Sequence, residues 1–241
     1  MDIGFEAFES GFSDFDVDVE DVEVRRIKKF ERIWRWGFGG SVAYHVLHEG
    51  IAYFASMDSY VYAVDVNSGR FIWKFKAGDS NFGSVSNVYK GSICVPSYDY
   101  NAYCLDSKTG KEIWRFNTGD KVFGAPVIHG DVVYVGSKNG YFFALKLSDG
   151  SVKWRFKTSK DIGSSPIIYK DKVMIGSFDG YLYCLERETG KEVWRFKTGG
   201  ERVLDRPANI HNGVLYITSH DSHLYALNPE TGKETWRAKT G

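Results

Sequence analysis

Cys184-Leu185-Glu186-Arg187-Glu188-Thr189-Gly190-Lys191-Glu192-Val193-Trp194 is one of five versions of a single pattern in this chain. A small residue leads, then an acid, a Ser or Thr, a Gly, a base and finally a Trp. The same order returns from Ala63 to Trp73, from Cys104 to Trp114 and from Ala226 to Trp236. The copy from Ala144 to Trp154 is looser, with Lys146 and Ser151 in place of the acid and the base. Trp34, Trp73, Trp114, Trp154, Trp194 and Trp236 fall at intervals of 39, 41, 40, 40 and 42 residues. Self-similarity at such a period marks stacked units that bury their apolar faces against one another.

Each period resolves into four short strands. Two-residue turns follow His48, Tyr89, His129, Tyr169 and His211, and most contain Gly or Asn, which tolerate positive φ in tight hairpins. A second strand ends near Ser56, Ser97, Ser137, Ser177 or Ser219, and a turn around Asp58, Asp99, Asn139, Asp179 or Asp221 leads into an aromatic third strand. The Thr-Gly-Lys turn then returns the chain into the Trp strand. Four strands every forty residues, with no sustained helical period, give an all-β fold. It is a β-propeller of four-stranded antiparallel blades, with five full repeats plus a degenerate N-terminal half-blade within residues 17–36. Lys74, Lys76, Arg155, Lys157, Arg195, Lys197, Arg237 and Lys239 alternate with the apolar side of the fourth strand. Charges there protect an outer edge from strand addition.

The five Ala-x-Asp-x-x-Thr-Gly-Lys-x-x-Trp copies resemble the tryptophan-docking motif of PQQ-type (quinoprotein) propellers, over about residues 34–241. The resemblance names Trp73, Trp114, Trp154, Trp194 and Trp236, with Gly69, Gly110, Gly150, Gly190 and Gly232, as the structural docking set. The family holds quinoprotein alcohol dehydrogenases and non-catalytic relatives such as outer-membrane assembly lipoproteins. It implies seven or eight blades, which leaves two readings open here: five blades closed by the N-terminal strand, or an open ring that a partner or a second copy completes. Its dehydrogenases carry a vicinal cysteine pair over the cofactor and a calcium held by Glu, Asn and Asp. No two cysteines are adjacent here, and the acids sit in repeated turns. The expected function is a non-catalytic protein-interaction scaffold without a cofactor. A PQQ-dependent dehydrogenase-like or small-ligand-binding propeller is the alternative, and a nucleic-acid-associated propeller is the third reading.

Composition adds an asymmetry. Residues 1–24 hold nine acids and no Lys or Arg, although the whole chain balances 31 basic against 31 acidic residues. This acidic arm, residues 1–24, precedes a basic propeller domain, residues 25–241. Phe5, Phe8, Phe12 and Phe15 recur at helical spacing in the arm and read as a docking face for a partner or for the chain itself. Cys94, Cys104 and Cys184 form no CxxC and no even-numbered framework, and no leader or membrane span is evident, so a cytoplasmic location is expected.

The remaining candidates are departures from the repeat. Inner strands open with small residues, such as Gly124-Ala125 and Gly163-Ser164, but the fifth repeat has Arg202, Asp205 and Arg206 there. With Lys121, Lys160 and Asp161 from inter-blade loops, these residues read as a polar rim for an anionic group or a peptide. His220-x-x-His223 with Asp221 comes nearest to metal-ligand spacing, but Asp221 is a repeated turn residue, so no metal site is assigned.

Overall fold

The computed structural model describes residues 35, 40–80, 85–200 and 209–240. The chain divides into two units, Met1–Arg32 and Ile33–Gly241, and the described residues all lie in the second. Blade 1 comprises β1 (Val42–His48), β2 (Ile51–Ser56), β3 (Tyr60–Asp65) and β4 (Phe71–Lys76). Blade 2 comprises β5 (Ser92–Pro96), β6 (Asn101–Asp106) and β7 (Glu112–Asn117). Blade 3 comprises β8 (Val127–His129), β9 (Val132–Gly136), β10 (Tyr141–Lys146) and β11 (Val152–Lys157). Blade 4 comprises β12 (Ile167–Tyr169), β13 (Lys172–Gly176), β14 (Tyr181–Glu186) and β15 (Glu192–Lys197). Blade 5 comprises β16 (Asn209–His211), β17 (Val214–Ser219), β18 (His223–Leu227) and β19 (Glu234–Lys239). Every sheet is an antiparallel meander whose strand order equals chain order. Among the described residues no helix is long and apolar enough to cross a membrane.

Blade 2 varies the four-stranded plan: among its described residues the first strand is a bridge between Tyr89 and Ser92. Ser86 takes over the pairing, its Oγ accepting from the Cys94 amide at 2.7 Å while its own amide donates to the Cys94 carbonyl at 2.8 Å. Asn87 turns to the next blade instead. Its Nδ2 donates to the Ile128 carbonyl and its Oδ1 accepts the Ile128 amide, both at 3.0 Å. A side-chain amide thereby substitutes for a strand backbone.

The repeated motif has a local cause. Asp65 Oδ1 accepts both the amide and the hydroxyl of Ser68 at 2.7 Å, and Asp106 treats Thr109 alike, at 2.8 and 2.7 Å. These bonds close the turn and pass the chain to a Gly in the left-handed region, such as Gly110 at φ +70. Glycine is required there twice over, because a Cβ on Gly110 would lie 2.6 Å from the ring of Trp73 in the preceding blade. Trp73, Trp114 and Trp154 donate Nε1 to the carbonyls of Ser107, Leu147 and Arg187, at 2.9, 2.8 and 2.8 Å. Each tryptophan is thus both buried and satisfied by the following blade.

The fourth link differs. Trp194 still covers Gly232, but its Nε1 is buried and has no hydrogen-bond partner among the described residues. Ser107, Leu147 and Arg187 are each pinned by an amide bond to the preceding hairpin, at 2.8, 2.9 and 2.9 Å. Pro229 holds that place in blade 5 and has no amide hydrogen to give. Trp236 is 43% exposed, and β19 is exposed along its length.

Candidate functional site

Two further contacts join successive blades and define what a standard seam looks like. The residue two beyond each Trp meets an aromatic of the next third strand edge-on. Phe75–Tyr103, Phe156–Tyr183 and Phe196–Tyr225 each have ring centroids 5.3 Å apart. The hydroxyl of that tyrosine donates to the turn acid four residues earlier. Tyr62 reaches Asp58 at 2.7 Å, Tyr183 reaches Asp179 at 2.8 Å, Tyr225 reaches Asp221 at 2.5 Å, and Tyr103 bonds Asp99. The acid also holds the exit of the preceding blade, with the Gly78 amide donating to Asp99 at 3.0 Å and the Ser159 amide to Asp179 at 3.2 Å.

The carboxylates pay for desolvation in this position, and hydrogen bonds decide the outcome. Burial raises the Asp179 carboxyl, but donation from Tyr183, Tyr181 and Ser159 outweighs it and holds the group below its ordinary value; Asp99 and Asp221 behave likewise. The tyrosines move oppositely. Burial, then the bond to the acid, pushes Tyr62 and Tyr103 up to about 12.

The seam between blades 2 and 3 departs from this plan at three positions. Asn139 replaces the acid, Phe143 replaces the tyrosine, and Val152 stands where Glu112, Glu192 and Glu234 stand. Phe143 keeps its ring against Phe116 at 5.0 Å but has no hydroxyl to give. Asn139 Nδ2 donates instead to the Thr118 carbonyl at 2.8 Å. Arg115 is held by Glu112 at 2.7 and 2.8 Å, whereas Arg155 has valine three residues back; both lie over a tyrosine ring, Tyr103 at 5.3 Å and Tyr141 at 5.4 Å. A groove of about 600 Å³ opens here, lined by Phe116, Asn117, Thr118, Gly119, Asn139, Tyr141, Phe143, Val152, Trp154 and Arg155. The substitutions remove negative charge beside a guanidinium that, as in blades 2 and 4, lies over an aromatic ring.

Lys138, next to Asn139, connects the groove to a row of cations and rings. Its Nζ lies 5.3 Å over Phe123, which stacks on Tyr98 at 6.1 Å, and Lys121 Nζ lies 4.9 Å over Tyr98. The Lys138 amide donates to the Lys121 carbonyl at 2.9 Å, so the hairpin and the inter-blade loop form one surface. Cations over aromatic faces keep their charge available to an anion while their stems are held.

The rim expected from the sequence meets this surface at Lys121. Lys160 and Asp161 occupy the corresponding loop one blade on, where the Asp161 carbonyl accepts the Phe178 amide at 2.9 Å. Arg202, Asp205 and Arg206 lie outside the described residues, as do Phe5, Phe8, Phe12 and Phe15 and all of the N-terminal half-blade but Arg35. His223 turns its Nδ1 to the Asp221 carbonyl at 2.9 Å, and the Asp221 carboxylate is occupied by Tyr225. The outer-edge cations stay with the protein's own rings, Lys157 over Tyr141 at 4.9 Å and Lys197 over Tyr181 at 4.6 Å.

The family model described as outer membrane protein assembly factor BamB matches residues 57–180 and again 178–241. Among solved structures, BamB from Moraxella catarrhalis is similar with a TM-score of 0.72 and 20% identity, over 81% of this chain and 63% of that one. The computationally designed Ika8 protein gives 0.76 and 12% over 85% and 64%. Quinohemoprotein alcohol dehydrogenase ADHIIG from Pseudomonas putida HK5 gives 0.69 and 18% over 81% and 41%. The chain therefore spans less than two thirds of each of these structures. No curated protein matches it in sequence.

Proposed function

We propose a function whose premise is family membership: the chain belongs to the PQQ-type propeller family of outer membrane protein assembly factor BamB. The function is that of a non-catalytic scaffold that holds a partner protein at the seam between blades 2 and 3. The observation that carries it is the groove where the Asp–Tyr clamp of the other blades is replaced by Asn139 and Phe143. Phe116, Tyr141, Phe143 and Trp154 supply an apolar floor and Arg155 a positive charge, while Lys138 and Lys121 carry charge on the adjoining hairpin and loop. An extended partner segment that alternates apolar and acidic residues fits that pairing. The acidic arm, with Phe5, Phe8, Phe12 and Phe15, is the scaffold's second docking element and addresses a basic surface on a partner.

The double variant Asn139→Asp/Phe143→Tyr rebuilds the clamp found in four blades and tests the groove without emptying the core. Tagged wild-type protein, this variant and a copy lacking residues 1–24 are captured from native cells, and their bound proteins are compared. A stoichiometric partner lost from the double variant supports the groove, and one lost from the truncation supports the arm. A partner retained equally by all three sinks the assignment.

A further inference from the structure

Blade 2 breaks the packing rule of the other blades at one cross-strand pair. In blades 1, 3 and 5 a tyrosine on the second strand faces an alanine on the third, namely Tyr53 and Ala63, Tyr134 and Ala144, and Tyr216 and Ala226. Blade 4 has Met174 opposite Cys184. Blade 2 has cysteine on both strands, Cys94 opposite Cys104, and both are fully buried as free thiols. The large residue has shrunk and the small one has grown until the two match.

The ladder places these two side chains at the closer kind of site. The Ser97 amide donates to the Asn101 carbonyl and the Ser107 amide to the Gly91 carbonyl, so 97/101 and 91/107 are hydrogen-bonded pairs. Counting inward by twos, 93/105 and 95/103 are hydrogen-bonded as well, and 94/104 is a non-hydrogen-bonded pair. The backbone of Cys94 confirms this, since its amide and carbonyl are both spent on Ser86 on the other side. At such sites Cα atoms lie about 4.5 Å apart and the side chains approach each other, inside the range a disulfide spans. Burial and then the neighbouring Cys104 thiol push the Cys94 thiol up.

We propose that Cys94 and Cys104 are a redox pair that closes to a cross-strand disulfide when the chain meets a disulfide donor, joining β5 to β6 within blade 2. The donor is a small-molecule or protein disulfide. One thiolate of the pair attacks a donor sulfur, and the other donor sulfur leaves as a thiolate. The second thiolate of the pair then attacks the bound cysteine sulfur and expels the remaining donor thiolate. The pair loses two electrons, the donor gains them, and the two cysteine protons end on the two donor thiols. Burial of both thiols confines the exchange to the folding chain or to local opening of the β5–β6 ladder. Cys184, opposite Met174, is left out.

The test uses the full chain refolded in a mixture of reduced and oxidised glutathione, then unfolded without reductant and blocked with N-ethylmaleimide. Wild type is expected to take up one maleimide per chain, on Cys184, and peptide mapping is expected to find Cys94 linked to Cys104. Cys104→Ala keeps the alanine of blades 1, 3 and 5, so it folds, and it takes up two maleimides with no internal link. Three maleimides on wild type, or a link through Cys184, overturns the proposal.

Discussion

Replacing Gly150 by alanine separates two costs that the tryptophan-docking turn combines. Gly150 has φ +71, and a Cβ there would lie 2.8 Å from Cδ2 and Cε3 of Trp114. Gly91 has nearly the same backbone, φ +74, but nothing lies within 4 Å of its would-be Cβ. Gly91→Ala therefore carries only the left-handed penalty, about 1–2 kcal/mol. Gly150→Ala adds displacement of a ring that is 7% exposed and donates to Leu147 at 2.8 Å. Losing that bond costs about 1 kcal/mol net, and giving up part of the ~3–5 kcal/mol attached to a whole buried tryptophan adds a similar amount. The expected loss is about 3–4 kcal/mol for Gly150→Ala, against about 1–2 for Gly91→Ala. Urea unfolding followed by tryptophan fluorescence and by circular dichroism measures both. Equal losses would refute the idea that these glycines are there to admit the tryptophan rather than to make the turn.

Two other outcomes follow from the same seams. Trp154→Ala should cost about 3–5 kcal/mol, and Trp236→Ala, whose ring is 43% exposed, no more than about half as much; similar losses in urea titrations would show that blade 5 is covered after all. The clamp acids Asp99, Asp179 and Asp221 have folded-state values below the ordinary 3.8, so they stabilise the protein at pH above that value. That contribution is lost as pH falls below about 4 and through the folded-state values. Asp179→Asn should flatten the acid limb of a stability–pH curve, and an unchanged slope counts against the clamp.

The fold was legible because the motif residues report local geometry. A glycine at positive φ, an acid two to four residues ahead and a tryptophan that needs the next blade together fix turn, strand and neighbour. The groove was harder to see because its parts come from two blades. Asn139, Phe143 and Val152 each look like mild variation when read along the chain. Superposing the repeats would have revealed that all three fall on one seam. The cysteine pair also left a signal. Around the turn at Asp99, partners on β5 and β6 have numbers that sum to 198, which puts 94 opposite 104. Spacing along the chain, ten residues with no CxxC, hid that neighbour. The weak first strand of blade 2 left no signal in apolar periodicity, because Ser86 and Asn87 do its work with side chains.

A repeat array lets one seam specialise without unsettling the others, since its stability is close to a sum of nearest-neighbour terms. The seam between blades 2 and 3 lacks the Asp–Tyr bond, a charge-assisted contact of about 1.5–3 kcal/mol elsewhere. It has three bonds at the opposite end of the same interface. Asn87 makes two bonds to Ile128 at 3.0 Å, and Lys90 reaches Asp131 at 2.7 Å. The ion pair is exposed and adds little. The two amide bonds are of the size needed to offset the missing clamp, at roughly 1 kcal/mol each. Asn87 makes them with its side chain alone, next to the Tyr89–Ser92 bridge of blade 2. The seam is therefore held at both ends, by Asn139 on the Thr118 carbonyl and by Asn87 on Ile128, and what it lacks is the Asp–Tyr bond within blade 3. On the proposed function, the groove beside Asn139 offers Phe116, Phe143, Trp154 and Arg155 to a partner protein.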